Sequence, residues 1–238
     1  MNNKDLESYL GFEKGAFSHI PPYCLPEALE AIKSVRLQEK QKLFRPGVYY
    51  VVLIDLCNST ESISILGYEV GRHRIENFVT ACVAALGSVN LSNYAQFLKQ
   101  VGDGVLFLFS SIVDLYNWWR AAELRFAFYT SEWNRKNDKK YHPAFQLKAK
   151  TVVHLGEINY NKNVDPISIA ISQVFKIEKQ FCAGQLGATN LVFEVAQPYF
   201  NELMIEPVLH SEILLPGDLN ISKVWLLSES EINKYLFA

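Results

Sequence analysis

The segment VYYVVLID, residues 48–55, constrains the fold more than any other part of the chain. It is β-branched and aromatic, which favours a strand. It is apolar at successive positions, so both faces of its sheet need cover. It therefore reads as a central strand, and it ends in Asp55. An ionised carboxylate among apolar groups is costly unless it is paired or bound to a metal. Either the strand stops short of Asp55 and leaves the charge in water, or something cationic sits there.

The neighbouring segments suggest an architecture. Residues 56–60 form a short loop, and Ser59 or Thr60 can cap the helix that follows. In that helix Ile75, Phe78, Val79, Cys82 and Leu86 recur at helical spacing. AQFLKQV and VLFLF are strand-like and flank Gly102-Asp103-Gly104, which reads as a hairpin. SIVDLYNWWRAAELRFAFYTSEW predicts a long helix, RKNDKKYHP a solvated loop, FQLKAKTVVHLGEI a strand and NYNKNVD a turn. ISIAISQVFKIEKQF predicts a helix, and TNLVFEVA, ELMIEPV and SKVWLLS read as further strands. The order β-α-β-β-α-β, followed by a helix and strands, is the α+β, ferredoxin-like split βαβ arrangement. It predicts an antiparallel sheet with helices on one face and other cover on the second, often a further copy of the chain. Residues 1–46, with the amphipathic run EALEAIKSVRLQEKQKLF, read as an N-terminal helical extension, or alternatively as a partner-binding helix. Residues 47–238 form the main domain.

Hydrophobic residues make up 49 % of the chain, enough for a sizeable core, and the net charge of -2 gives no electrostatic reason to expect nucleic-acid or acidic-membrane binding. The start, MNNKDLESYLGF, has no apolar signal region, and runs such as VVLI and VLFLF are too short to span a bilayer. The expectation is a soluble cytoplasmic protein in which Cys24, Cys57, Cys82 and Cys182 are reduced thiols. The glycosylation pattern Asn58-Ser59-Thr60 has no meaning in that compartment.

Asp55 and Asp103 carry the chemistry. In a split βαβ unit the first strand neighbours the hairpin, so two carboxylates at adjacent strand ends converge on one hard cation. Mg2+ is held by one or two carboxylates plus substrate phosphates, and ion pairs serve phosphoryl displacements. The loop after Asp55 feeds a helix N-terminus, which attracts phosphate. The constellation reads as metal plus polyphosphate. The blander readings are that Asp103 is only a turn residue, that Asp55 is bonded to loop amides, and that Ser59 and Thr60 are only caps. His73 and His154 read as structural or surface groups.

VVLIDLCNSTESI and LKQVGDGVLFLF together resemble the class III nucleotidyl cyclases. That family shows an apolar strand ending in a metal Asp, a Ser/Thr-containing loop and helix, then K-x-x-G-D-G on a hairpin. VHLGEI, FKIEK and ATNLVFEVA are similar to its later elements, so the resemblance runs in order over residues 47–228. It implies a homodimer with active sites at the interface. Asp55 and Asp103, with Leu56 beside them, would hold two Mg2+ or Mn2+ ions. The backbone of Leu56, Cys57, Asn58, Ser59 and Thr60 would cradle the triphosphate. Lys99, four residues before Asp103, stands where purine cyclases select adenine. Asp165, Ser172 and Lys176 keep the spacing of a base-selecting Asp, a ribose-orienting Asn and a transition-state Arg, with Ser and Lys in the last two places. Lys lacks the forked contact of Arg. The phosphate-binding Lys of a late L-K-G pattern is matched by Pro216 in LLPGDL, with Lys223 as a substitute.

The short domain and the altered Asn and Arg positions look most like the bacterial Pycsar pyrimidine cyclases of anti-phage defence. That likeness implies UTP as substrate and cUMP plus pyrophosphate as products, with a separate effector protein reading the messenger. Tyr50 is then the candidate for the base pocket, against a plain core role. The alternatives are a cytidylate or adenylate cyclase, a catalytically dead nucleotide-binding or dimerisation module, and a ferredoxin-like binding domain with no nucleotide role.

Overall fold

The computed structural model describes residues 46–89, 91, 93, 95–137, 146–159 and 168–230. The expected N-terminal helix, Asp165 and most of the expected turn at 159–165 lie outside the described residues.

Strand β1, Gly47–Leu56, is central. It pairs antiparallel with β3, Gly104–Phe109, on one side and with β4, Ala149–Ile158, on the other. Val51 to Ile54 are at most 1 % exposed, so both faces of the strand are covered. β2, Ala95–Val101, completes the hairpin with β3. β5, Gln185–Thr189, lies parallel to β4. β6, Val208–Leu214, and β7, Ile221–Glu229, follow in the order β2-β3-β1-β4-β5-β7-β6. The first four strands in that order are the split βαβ unit.

The alternation of side chains along β1 divides the core in two. Tyr50, Val52, Ile54 and Leu56 join a cluster with α2, Tyr68–Ser88, and α3, Ile112–Asn137. A short helix, α1, Ser59–Leu66, precedes α2 and is split from it at Gly67. Trp118 of α3 lies 4.6 and 5.2 Å, centroid to centroid, from Phe107 and Phe109 of β3. Its indole N–H donates to the carbonyl of Cys82 on α2 at 2.9 Å. Burying rings of this size contributes about 2–3 kcal/mol each before entropy is counted.

Val51 and Leu53 face the other way, towards Ala170, Val174 and Ile177 of α4, Ile169–Glu178. The expectation of helices on one face only is therefore corrected: α4 covers part of the second face. Gly156 of β4 permits this close approach, because a Cβ there would lie 2.5 Å from the Ala170 Cβ. Ser168 caps α4 by accepting from the Ala170 amide at 3.1 Å.

Two further expectations change. TNLVFEVA is not a strand: Asn190–Ala196 is helix α5, with Val192 and Ala196 buried one turn apart. The strand before it, β5, has no counterpart in the sequence reading, because Gly187 interrupts its pattern. A Cβ at Gly187 would lie 2.1 Å from the Phe181 ring, so the packing demands a glycine. ELMIEPV begins in the last turn of α6, Phe200–Leu203, and reaches β6 only at Val208. Among the described residues no helix is long and apolar enough to cross a membrane.

Candidate active site

Asp55 stands at the C-terminal end of β1, opposite Gly104 on one neighbour and Lys150 on the other. The β2–β3 turn is made by Gly102 and Asp103, not by an Asp-Gly pair, and Gly102 has φ +63°. Glycine adopts that conformation without steric cost. Gly104 is already in β3, where a Cβ would come within 3.0 Å of Asp55 Oδ1 and 3.2 Å of Leu53 Cδ1. The two glycines thus have separate tasks: one turns the chain and the other leaves room for the carboxylate.

Asp103 is tied to the loop after β1. Its carbonyl accepts from the Leu56 amide at 3.3 Å, and its carboxylate accepts from the Ser59 hydroxyl. The Cys57 amide donates to the Lys148 carbonyl at 2.8 Å. Asn58 is left-handed at φ 57° and makes no side-chain cap. The Ser62 amide and hydroxyl both donate to the Asn58 carbonyl, at 2.9 and 2.7 Å. Ser59 is therefore the first residue of α1 rather than its cap.

The expected phosphate cradle narrows accordingly. The Leu56 and Cys57 amides are committed to backbone partners, while the first turn of α1 turns its N–H groups outward, as at any helix start. Behind the loop, the buried Arg74 of α2 donates to the Cys57 carbonyl at 2.9 Å and to the Gln146 carbonyl at 2.6 Å. Burial pushes its guanidinium down to about 10, against the pull of Cys57 and Asp103.

The electrostatics show a shortage of positive charge. Lys150 Nζ lies 3.6 Å from Asp55 Oδ2 and forms an ion pair with Glu178 at the end of α4. Burial foremost, then the charges of Asp103 and Glu178, pushes the Asp55 carboxyl up to about 6, while Lys150 opposes the shift. One lysine does not balance the carboxylates around it. The Cys57 thiol is pushed up to about 11, mainly by burial, which rules it out as a nucleophile at neutral pH.

A hard cation suits this donor set. It offers carboxylate oxygens, and one carboxyl, Asp55, is held off its ordinary ionisation by burial and by its acidic neighbours. Among the described residues no group of three or more His, Cys, Asp and Glu side chains is arranged to hold a metal by itself. Two carboxylates are what Mg2+ ordinarily takes from a protein when phosphates complete its shell.

The fold thus brings Asp55, Leu56, Cys57, Asn58, Ser59, Thr60 and Asp103 to one sheet end. Lys99 lies on the same hairpin, half-buried opposite Leu106 and just after a bulge. Ser172 and Lys176 are exposed one turn apart on α4, away from the buried Gln173, Val174 and Ile177. Lys223 is exposed on β7 opposite Glu212, outside this cluster. Tyr50 is placed apart from this cluster. It is 6 % exposed in the cluster with α2 and α3, and burial and Tyr199 raise its hydroxyl pKa. It lies on the opposite sheet face from Asp55, as an odd separation along a strand requires. That parity was already legible in the sequence.

The sequence reading missed Lys150, Glu178 and Arg74. Lys150 becomes visible only once β4 is paired with β1 in register.

No protein-family model matches the chain. No curated protein matches it in sequence. Solved structures do match. The adenylyl cyclase CyaB from P. aeruginosa superposes with a TM-score of 0.56 at 12 % identity, over 79 % of this chain and 97 % of that one. The guanylate cyclase domain of RhGC from Catenaria anguillulae, in complex with GTP, gives 0.55 at 10 % identity, over 77 % and 97 %. A monomeric adenylate cyclase from Trypanosoma brucei gives 0.56 at 12 %, over 76 % and 87 %. The chain has the fold of a class III cyclase catalytic domain. At such identities the likeness is one of fold. Within the cyclase fold, Asp55 and Asp103 sit at the end of the central strand and at the tip of the adjoining hairpin.

Proposed function

We propose that the domain is a nucleotidyl cyclase that converts UTP to 3′,5′-cUMP and pyrophosphate. The observation that carries this reading is the convergence of Asp55 and Asp103 beside the first turn of α1. In the reaction the ribose 3′-oxygen bonds to the α-phosphorus, the bond from that phosphorus to the pyrophosphate oxygen breaks, and the hydroxyl proton leaves to solvent.

Asp55 and Asp103 are the residues that hold Mg2+ or Mn2+, two ions per site. Bound there, the ions supply Lewis acidity at the 3′-hydroxyl and neutralise charge on the pyrophosphate. Ser59 orients the Asp103 carboxylate. Arg74 fixes the loop through the Cys57 carbonyl, so that the first-turn amides of α1 stay aimed at the phosphates. Lys150 keeps Asp55 and Glu178 from repelling each other before the cation binds. Leu56 would join Asp55 and Asp103 in holding the ions.

The exposed Ser172 and Lys176 face outward, as residues serving a partner's site in a homodimer would. Lys176 then acts as the transition-state cation and Ser172 orients the ribose. Lys99 and Asp165 read the base, and Lys223 is a candidate phosphate contact. The Pycsar-like departures at Ser172 and Lys176 support UTP and a cytoplasmic anti-phage messenger read by a separate effector. Lys99 and Asp165 match the adenylate pattern, which favours ATP as the second reading.

Incubation with ATP, GTP, CTP and UTP in Mn2+, followed by mass spectrometry, tests this directly. Cyclic UMP and pyrophosphate are expected. Cyclic AMP or CMP would move the substrate, and no cyclic product from any of the four would leave a nucleotide-binding or dimerisation module.

A further inference from the structure

A cavity lies on the face of the sheet that α3 covers. It has a volume of about 640 Å3 and opens between α3, the end of β7 and the segment joining α6 to β6. Its walls combine Leu203, Leu226 and Leu227 with polar and charged side chains in about equal measure. Trp119 and Glu123 of α3 line it one turn apart. Each is 2 % exposed. Trp119 Nε1 and Glu123 Oε1 are both buried without a hydrogen-bond partner.

Such groups are costly to leave unmet. A buried N–H donor and a buried carboxyl oxygen, each unsatisfied and four residues apart on one helix, form a matched pair of unmet bonds at the wall of one cavity. The size is that of a small-molecule site, and polar groups converging on one cavity are how such sites orient a ligand. Burial pushes the Glu123 carboxyl up to about 7, against the Ser230 hydroxyl beside it, so it can offer or accept a proton near neutrality. None of the residues proposed for cyclisation lines this cavity.

We propose that this cavity is a binding site for a small uncharged molecule that presents a hydrogen-bond donor to Glu123 and an acceptor to Trp119. The charge follows from the walls. Among the described residues Glu123, Glu206 and Glu229 line it against Arg120 alone, which disfavours anions. Amides and the lactam edges of heteroaromatic rings carry this chemistry, whereas a protonated amidine offers donors only. The site does not depend on the cyclase reading.

Three probes of nearly equal shape separate the possibilities: benzamidine, benzamide and benzoate. Each is titrated into the full chain while the Trp119 indole N–H resonance, assigned by its loss in Trp119→Phe, is followed by NMR. Benzamide should shift it saturably, and benzamidine, which as a cation has no acceptor for the indole N–H, and benzoate, which has no donor for Glu123, should each need at least roughly tenfold more ligand. Glu123→Leu, which removes the acceptor, should weaken benzamide roughly tenfold. No saturable shift from benzamide overturns the proposal, and so does benzamidine or benzoate binding as well as benzamide. Should Glu123→Leu fail to fold, the ranking of the three probes on the unaltered protein decides alone.

Discussion

The half-buried Asp55 and the buried Glu123 have carboxyls pushed up to about 6 and about 7, both foremost by burial, yet their surroundings differ. At Asp55, at the end of β1, a crowd of charges adds to burial: Asp103 and Glu178 raise it further and Lys150 pulls it down. Glu123 lies against α2 and β7 with burial as its only raising cause. The first is a site short of positive charge, which a cation completes. The second is a site short of hydrogen-bond partners, which a proton or a polar ligand completes. Equal perturbation of a carboxyl therefore does not imply equal chemistry; the charges that accompany burial separate them.

The strongest test of this contrast is removal of the charge. Asp55→Asn or Asp103→Asn should cost about a thousandfold or more in cyclic product, by the scale of lost transition-state electrostatics. Thermal unfolding should show that the fold survives and that added Mg2+ raises the melting temperature of the unaltered protein but not of Asp55→Asn. Full activity in either variant with Mn2+ would break the comparison at its first term.

Gly104→Ala sharpens the same term without touching a charge. Its Cβ would sit 3.0 Å from Asp55 Oδ1, so the carboxylate must shift. Displacement of a catalytic group by a fraction of an ångström to an ångström costs up to about a hundredfold. Unchanged turnover would show that the position of Asp55 is not critical.

For Glu123 the expected effect is on stability and pH. Its folded pKa lies above the unfolded value, so the folded state binds the proton more tightly. That contribution is fully present below the unfolded value, about 4.3, and is lost as pH rises through about 7. Glu123→Gln should therefore be more stable than the unaltered protein at pH 8, by roughly 3–4 kcal/mol, with the advantage gone near pH 4. Denaturant melts at the two pH values read this directly. A pH-independent difference would mean that Glu123 keeps its ordinary pKa and that the contrast with Asp55 fails.

The smallest effect is expected at Ser59→Ala, which removes the hydroxyl bonded to Asp103. A loss of about 1.5 kcal/mol, roughly tenfold in turnover, is expected, at the low end for one hydrogen bond to a charged group. A loss as large as that from Asp103→Asn would make Ser59 a direct participant in the chemistry.

Much of the metal-site geometry was legible in the chain. VYYVVLID is apolar at both parities and is the central strand. Gly102 and Gly104 bracket Asp103 because the turn needs a positive φ and the carboxylate needs room. The later elements were harder. In TNLVFEVA the β-branched residues outweighed the spacing of Val192 and Ala196, and tertiary packing made it a helix. In QLGAT, Gly187 hid a strand, because its reason is the Phe181 ring and not local propensity.

The sequence by itself determined the central strand, the placing of Asp55 at its end and of Asp103 in a tight turn, and the opposite faces of Tyr50 and Asp55. These depend on periodicity and turn chemistry, which act over a few residues. Only the tertiary structure decided that Lys150 and Glu178 converge on Asp55, that Arg74 clamps the loop from α2, and that α4 covers the second face. It alone also set Trp119 and Glu123 unsatisfied at a cavity wall. Each of these joins elements far apart in the chain, and burial and pairing between such elements exist only once the sheet is assembled in register.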